Sequence, residues 1–445
     1  MWERSNKLTE IYPSSNVSEE ENDSSGVLSG SRSSERKSKR NLFGFWLLGM
    51  CNYFGFVVML IAAHDILHQE KTTNRGNQTY MPNASSIWHV TESLQSADGL
   101  ECSPFSTGTV LLADILPSFV ISITAPFFMQ RTRYSVRMAI CVLFAFASFS
   151  IVAFSRVLWI TLLGVAFASL SSGLGETTLL SYSAHFDRDV VSTWSSGTGG
   201  SSAFGALSYA GLISSGITPR NTVLIMNVIP FLMGICYWFI LEHPEGITER
   251  EPLLGKARTE GADKLPVVPL TFGKKLTITK SLMKFILPIF FIYFAEYFIN
   301  QGLHELIYWN RIWLSPSDQY RWYQVSFRVG TFIARSSVNI FPIKKTWLLA
   351  VLQNVNLVIL LCEAYVPFLP SVWIMFLISL YVGLLGGSCY VNTFYRISQE
   401  VPPEHREFSM GVTSVPINGG IALAGVAVLP THRAFCTYWR NKMRS

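Results

Sequence analysis

The sequence predicts an all-α, polytopic membrane protein with about eleven transmembrane helices in two bundles. Three observations predict it: charge is scarce, apolar runs have bilayer-spanning length, and one polar linker separates six of those runs from the rest.

Charge comes first. Of 445 residues, 49% are hydrophobic and 14% charged, against about 25% charged in a soluble domain. The charges crowd into the first 40 residues, into 242–280 and into a few short gaps. The net charge of +6 does not indicate a nucleic-acid partner, because the basic residues flank apolar spans rather than forming a stripe with interleaved aromatics. Among the seven cysteines only Cys102 falls in a long polar loop, and no CxxC occurs. Neither a disulfide framework nor a zinc site is expected, and no metal or cofactor. Residues 1–41 are expected to be a disordered cytosolic tail, too polar for a cleavable signal peptide.

The apolar runs place spans near 42–63, 107–129, 136–155, 157–182, 196–216, 222–241, 281–303, 320–340, 346–365, 371–395 and 408–430. Arg32, Arg36, Lys37, Lys39 and Arg40 precede the first span, which puts the N-terminus in the cytosol. The loops with Arg131, Arg133 and Arg137, with Lys344 and Lys345, and with Arg396 and Arg406 then face the same side. The loop 64–106 faces the lumen. It carries Asn-x-Ser/Thr acceptors at Asn77 and Asn83, which can be glycosylated only there.

The linker 242–280 divides an N-terminal six-helix bundle (42–241) from a C-terminal bundle (281–430), with a tail at 431–445. It carries Glu249-Arg-Glu-Pro-Leu-Leu254, an acidic residue ahead of the Leu253–Leu254 pair, the pattern that clathrin adaptors read in endosomal and lysosomal sorting. The bundles hint at a repeat. Gly173-Leu-Gly-Glu-Thr-Thr-Leu-Leu-Ser-Tyr182 in the fourth span matches Gly383-Leu-Leu-Gly-Gly-Ser-Cys-Tyr-Val-Asn392 in the tenth.

No catalytic constellation appears, so no enzyme is expected. The functional candidates are polar side chains inside spans, where a charge costs roughly 2.5–3.5 kcal/mol on insertion scales and so needs a partner or a cavity. Tyr293, Glu296, Tyr297, Asn300 and Gln301 recur at helical spacing in the seventh span. Gln324, Arg328, Thr331 and Arg335 share a face of the eighth. Two stacked guanidiniums suit a phosphate or carboxylate. The competing reading is a set of salt bridges to Glu296 or Glu363 that lock helices together. Asp114, Glu176 and Glu296 are candidates for proton coupling, with static inter-helix hydrogen bonds as the alternative for the first two. Gly197, Ser201 and Gly205, like Gly383 and Gly387, follow the small-xxx-small pattern of close helix packing.

Longer words carry a resemblance. Gly44-Phe-Trp-Leu-Leu-Gly-Met-Cys-Asn52, Leu111-Leu-Ala-Asp-Ile-Leu-Pro117, Ser171-Ser-Gly-Leu-Gly-Glu176, Trp194-Ser-Ser-Gly-Thr-Gly-Gly200, Tyr293-Phe-Ala-Glu-Tyr-Phe-Ile-Asn-Gln-Gly302, Tyr390-Val-Asn-Thr-Phe394 and Glu404-His-Arg-Glu-Phe408 closely resemble the battenin family. The resemblance runs from about Gly44 to Pro430. It implies a major-facilitator-like protein of the lysosomal and late-endosomal membrane, needed for export of glycerophosphodiesters and linked to lysosomal pH and membrane trafficking. On that reading Arg328 and Arg335 hold the phosphate, and Tyr297, Asn300, Gln301 and Asn392 hydrogen-bond the rest of the substrate. Asp114, Glu176 or Glu296 couples to protons. The alternatives are a basic amino acid or proton-coupled cation carrier and a membrane-trafficking scaffold. One departure stands out: the family has a cysteine fit for prenylation near its end, but Cys436 is followed by nine residues, so the four-residue box fails.

Overall fold

The computed structural model describes residues 38–59, 62, 107–128, 132–155, 157–243, 271–309, 312–314 and 316–444. Among them there is no strand. The six spans of the first half are Ser38–Met59, Thr107–Phe128, Tyr134–Phe154, Leu158–Ser183, Asp189–Ser214 and Pro219–Ile240. The seventh to eleventh are Met283–Leu303, Pro316–Ser336, Thr346–Tyr365, Val372–Glu400 and Ser414–Arg444. Two short helices, Phe272–Ser281 and Pro403–Val412, precede the seventh and eleventh spans.

Among the described residues, eight helices are long and apolar enough to cross a bilayer by composition. The second span has a shorter apolar stretch, Leu111–Ala125. The fifth and eighth are diluted by small and polar residues, and the reason is their position: they face each other across the two halves. Gly199 sits against the Phe332 backbone and the Arg335 side chain, and Ser196 Oγ lies 2.9 Å from Ser336 Oγ. The second and eleventh spans make the other inter-half seam, with Phe119 against Gly419, Leu112 against Gly425, and Asn418 donating to Ser122. The fifth–eighth and second–eleventh pairs thus join the two halves.

The repeat seen in the sequence returns as packing. Gly173 of the fourth span is pressed against Ser118 of the second, as Gly383 of the tenth is pressed against Phe327 of the eighth. Gly175 lies against Asn52 of the first span, as Gly386 lies against Glu296 of the seventh. A Cβ at any of these glycines would collide with the neighbouring helix, so helix approach, not turn formation, requires them.

Local signals set several ends. Thr218 caps the sixth span, accepting from Asn221 N at 3.4 Å, with Pro219 at the first helical position. Ser371 caps the tenth by accepting from Trp373 N at 3.3 Å. The seventh span contains Pro288 and widens to a π-turn over Ile299–Leu303, which includes Asn300 and Gln301. Such widened turns gather at functional sites because they re-aim side chains.

The last helix differs from expectation. The sequence places its end near 430, yet it continues through Pro430 to Arg444. Aromatic packing explains the extension: Phe435 and Tyr438 meet Tyr365 of the ninth span, and Trp439 Nε1 donates to Ala364 O at 3.3 Å. A second difference concerns cysteine. No disulfide was expected, but Cys436 is disulfide-bonded, which removes the thiol a prenyl group would need.

Candidate functional site

The eighth span owes its polar face to Gln324, Arg328, Thr331 and Arg335, and the face turns inward. Arg328 and Arg335 are seven residues apart, two helical turns, or roughly 10 Å along the axis. Both are buried, at 9% and 7% exposure. Arg335 donates to Thr198 Oγ1 at 2.7 Å and to Tyr293 OH at 3.0 Å. Its guanidinium lies 4.1 Å from the centroid of the Tyr390 ring, and its Nε has no hydrogen-bond partner among the described residues. Arg328 lies within electrostatic reach of the phenols of Tyr297 and Tyr320. Neither arginine forms a salt bridge among the described residues.

The salt bridges to Glu296 or Glu363 that the sequence offered as the alternative are not formed among the described residues. Glu363 is spent on backbone, accepting from Phe368 N at 2.8 Å and Leu369 N at 2.9 Å. Glu296 is 3% exposed and tucked against Gly386, and its Oε2 accepts no hydrogen bond among the described residues. It is within electrostatic reach of Arg335 without being in contact with it.

The first half supplies the opposite wall. Glu176 Oε1 accepts from Tyr390 OH at 3.2 Å, and Tyr53 lies within electrostatic reach of this carboxylate. Trp194 Nε1 donates to Tyr390 OH at 3.3 Å. Glu176, Tyr53, Trp194 and Thr198 of the first half therefore meet Tyr293, Arg335 and Tyr390 of the second around one guanidinium. Thr177 Oγ1 lies 3.4 Å from Ser414 Oγ one position further on.

The remaining predicted residues divide. Asn300 Nδ2 donates to Glu296 O at 2.9 Å, leaving its buried Oδ1 without a donor. Gln324 Nε2 bonds Asn300 O at 3.0 Å, tying the seventh and eighth spans. Tyr297 stacks beside Tyr293, with centroids 6.2 Å apart. Gln301 is buried in the same π-turn. Asp114 is fully buried, neither carboxyl oxygen has a hydrogen-bond partner among the described residues, and it lies within electrostatic reach of Tyr297. Asn392 is different: its Oδ1 accepts from Ile343 N at 2.6 Å and its Nδ2 donates to Ser388 O at 2.8 Å, so its amide is committed to holding the turn before the ninth span. Asn77, Asn83, Glu249, Leu253 and Leu254 lie outside the described residues.

Tyr53, Trp194, Thr198 and Tyr390 belong to the site without having been singled out for it. Aromatic rings inside an apolar span read as ordinary packing. Only the word repeat between the fourth and tenth spans pointed at the level where Tyr390 and Glu176 meet.

Fold and site together define a multi-pass membrane protein of two helical bundles with a buried, charged polar axis between them. Comparison with known proteins gives the family. Residues 43–438 match the family described as CLN3 protein. Battenin of Canis lupus familiaris is 43% identical over 408 residues, 89% of this chain and 91% of its own. Protein BTN1 of Yarrowia lipolytica is 32% identical, covering 90% of this chain and 95% of its own. The chain belongs to the CLN3 protein family. In fold it is similar to the solved human organic anion transporter MFSD10 (TETRAN), with a TM-score of 0.57 at 13% identity, over 90% of this chain and 96% of that one.

Proposed function

We propose that the protein is a lysosomal-membrane transporter that exports glycerophosphodiesters by alternating access. One observation carries this reading: Arg328 and Arg335 stand two turns apart on one buried face with no carboxylate paired to either among the described residues. A buried charge without a counter-ion costs several kcal/mol. A phosphodiester anion offsets that cost and accepts paired hydrogen bonds from a planar guanidinium. Arg335 is already oriented by Thr198, Tyr293 and Tyr390, so it holds the phosphate, and Arg328 supplies the second positive centre. Asn300 and Gln301 in the π-turn, with Tyr297, are the groups for the glycerol and head-group hydroxyls.

The described hydrogen bonds between halves support a state closed at the basic-loop end. Among them are those of Tyr134 with Glu407, Ser196 with Ser336, Trp194 with Tyr390 and Thr177 with Ser414. The basic loops favour the cytosol for that end. A disulfide at Cys436 favours an oxidising compartment for the other, which is also where Asn77 and Asn83 would be glycosylated. The Glu249/Leu253–Leu254 segment would then face clathrin adaptors.

A second reading has its own observation. Asp114 and Glu296 are buried carboxyls with unpartnered oxygens, which suits either proton coupling within the anion carrier or a cation as cargo. Purified full-length protein in liposomes distinguishes them, using uptake of labelled glycerophosphoinositol and of lysine with and without a pH gradient. The expected result is glycerophosphodiester uptake that falls roughly 10- to 100-fold in Arg335→Ala, the value of a lost charge-assisted hydrogen bond. Lysine uptake that is indifferent to both arginines and abolished by Asp114→Asn or Glu296→Gln would establish the cation reading instead.

A further inference from the structure

The two halves differ on their outer faces. In the first half the sixth span covers the groove between the first and third. Cys236 Sγ donates to Gly44 O at 3.3 Å, Asn41 Oδ1 accepts from Glu242 N at 2.9 Å, and Tyr237 packs beside Tyr182. What remains beneath it is a space of about 10 Å³ bordered by Cys51, Ala145, Phe149, Ile229 and Pro230. The pseudo-equivalent groove of the second half lies between the seventh and ninth spans. No helix among the described residues covers it. It is an apolar trough of about 630 Å³, lined by Leu287, Phe291, Trp347, Val351, Val355 and Val358, with Asn354 among them. Trp347 and Val358 are 56% and 60% exposed.

Lipid tails can fill an apolar trough, but Asn354 needs more. It sits near the middle of the ninth span, at the depth of the hydrocarbon. Its Nδ2 donates to Ala350 O at 2.8 Å, with only a long 3.5 Å contact to Phe291 O, and its Oδ1 accepts no hydrogen bond among the described residues. Lipid offers no donor at that depth, whereas a helix with an amide at the same level does. A second copy inserted in the same sense has its own Asn354 at that level. A two-fold axis along the membrane normal brings the two amides face to face, and each amide carries both a donor and an acceptor.

We propose that this trough is a self-association surface. Two copies meet through their seventh–ninth grooves, the ninth span of each seated in the trough of the other and the two Asn354 side chains paired at the centre. The contact does not involve the buried arginines, so it stands whatever the substrate is.

Single-molecule photobleaching of fluorescently labelled full-length protein in liposomes tests it, over a series of protein-to-lipid ratios. Wild type is expected to bleach in two steps, with the dimer fraction falling on dilution. Asn354→Leu is expected to shift the dimerisation midpoint roughly ten-fold toward monomer, the scale of one interhelical amide pair. Oxidative cross-linking in a Cys362→Ser background adds a measurement that does not depend on that variant. Val355→Cys should give a covalent dimer, and Phe239→Cys, exposed on the opposite half, should not. One-step bleaching at the highest density would overturn the proposal and leave the trough to lipid or to another protein's helix. A cross-link at Phe239 in place of Val355, or an Asn354→Leu protein that dimerises as wild type does, would overturn it equally.

Discussion

Arg335 concentrates the chemistry of the interior. Its side chain is held from three directions, by a threonine of the fifth span, a tyrosine of the seventh and the ring of Tyr390 in the tenth. Lysine has the charge but neither the fork nor the flat face that stacks on a ring. Arg335→Lys is therefore expected to keep the fold yet lose most transport, with apparent affinity falling roughly ten-fold in the liposome assay. Equal transport by the lysine variant would reduce Arg335 to a bare charge. Residues of this kind were legible in the sequence because a charge in a hydrocarbon-length run is conspicuous. What the charge touches was not legible. Nothing local distinguishes Asn392, spent on the backbone of a turn, from Asn300, which keeps a buried oxygen without a donor. Both are amides on apolar helices, and the difference lies in which loop folds back over them.

Single helices read well where one face decided the matter and poorly where a neighbour did. The eighth span is too polar to stand in lipid, and its place follows from being wedged between the fifth and the tenth. The contact with the tenth is backbone against backbone: a Cβ at Gly330 would strike Leu380 O, and one at Gly383 would strike Phe327 O. Neither obstacle is the movable end of a side chain. Gly383→Ala is expected to cost about 1–3 kcal/mol through forced separation of the two helices. It should lower the thermal midpoint of the detergent-purified protein, and it should also loosen Arg335 against Tyr390. Gly211→Ala, where nothing lies within 4 Å of the added carbon, is the control and should leave the midpoint unchanged. A Gly383→Ala protein as stable as this control would mean that the eighth and tenth spans do not meet at Gly383. The extended eleventh helix could not be read at all. Pro430 marks a stop in sequence terms, and only the aromatic contacts of Phe435, Tyr438 and Trp439 with the ninth span carry the helix beyond it.

At the scale of the whole molecule, the two halves are tied asymmetrically. The described inter-half hydrogen bonds cluster from the level of Glu176 and Tyr390 toward the basic-loop end, where Tyr134 OH donates to Glu407 at 2.7 Å and His185 Nε2 stands 3.6 Å from the same carboxylate. Glu407 comes from the short helix Pro403–Val412, while Tyr134 opens the third span and His185 follows the end of the fourth, so one carboxylate bridges both halves. Alternating access requires such ties to break once per cycle. The pair is about one-quarter exposed, at 20% for His185 and 24% for Glu407. Its contribution is therefore near the surface value of about 1 kcal/mol, not that of a buried pair. Removing it shifts the balance between closed and open by roughly five-fold. Thr177, buried against Ser414 between the halves, reports that balance when replaced by cysteine. A membrane-impermeant maleimide added at the basic-loop side should label Thr177→Cys roughly five times faster when Glu407→Ala is also present, and Tyr134→Phe should give a smaller rise. An unchanged labelling rate would show that Glu407 does not hold this end shut. The seam would then be kept by the Ser196–Ser336 and Trp194–Tyr390 contacts deeper in the bundle, and opening would have to begin at the arginine rather than at the surface.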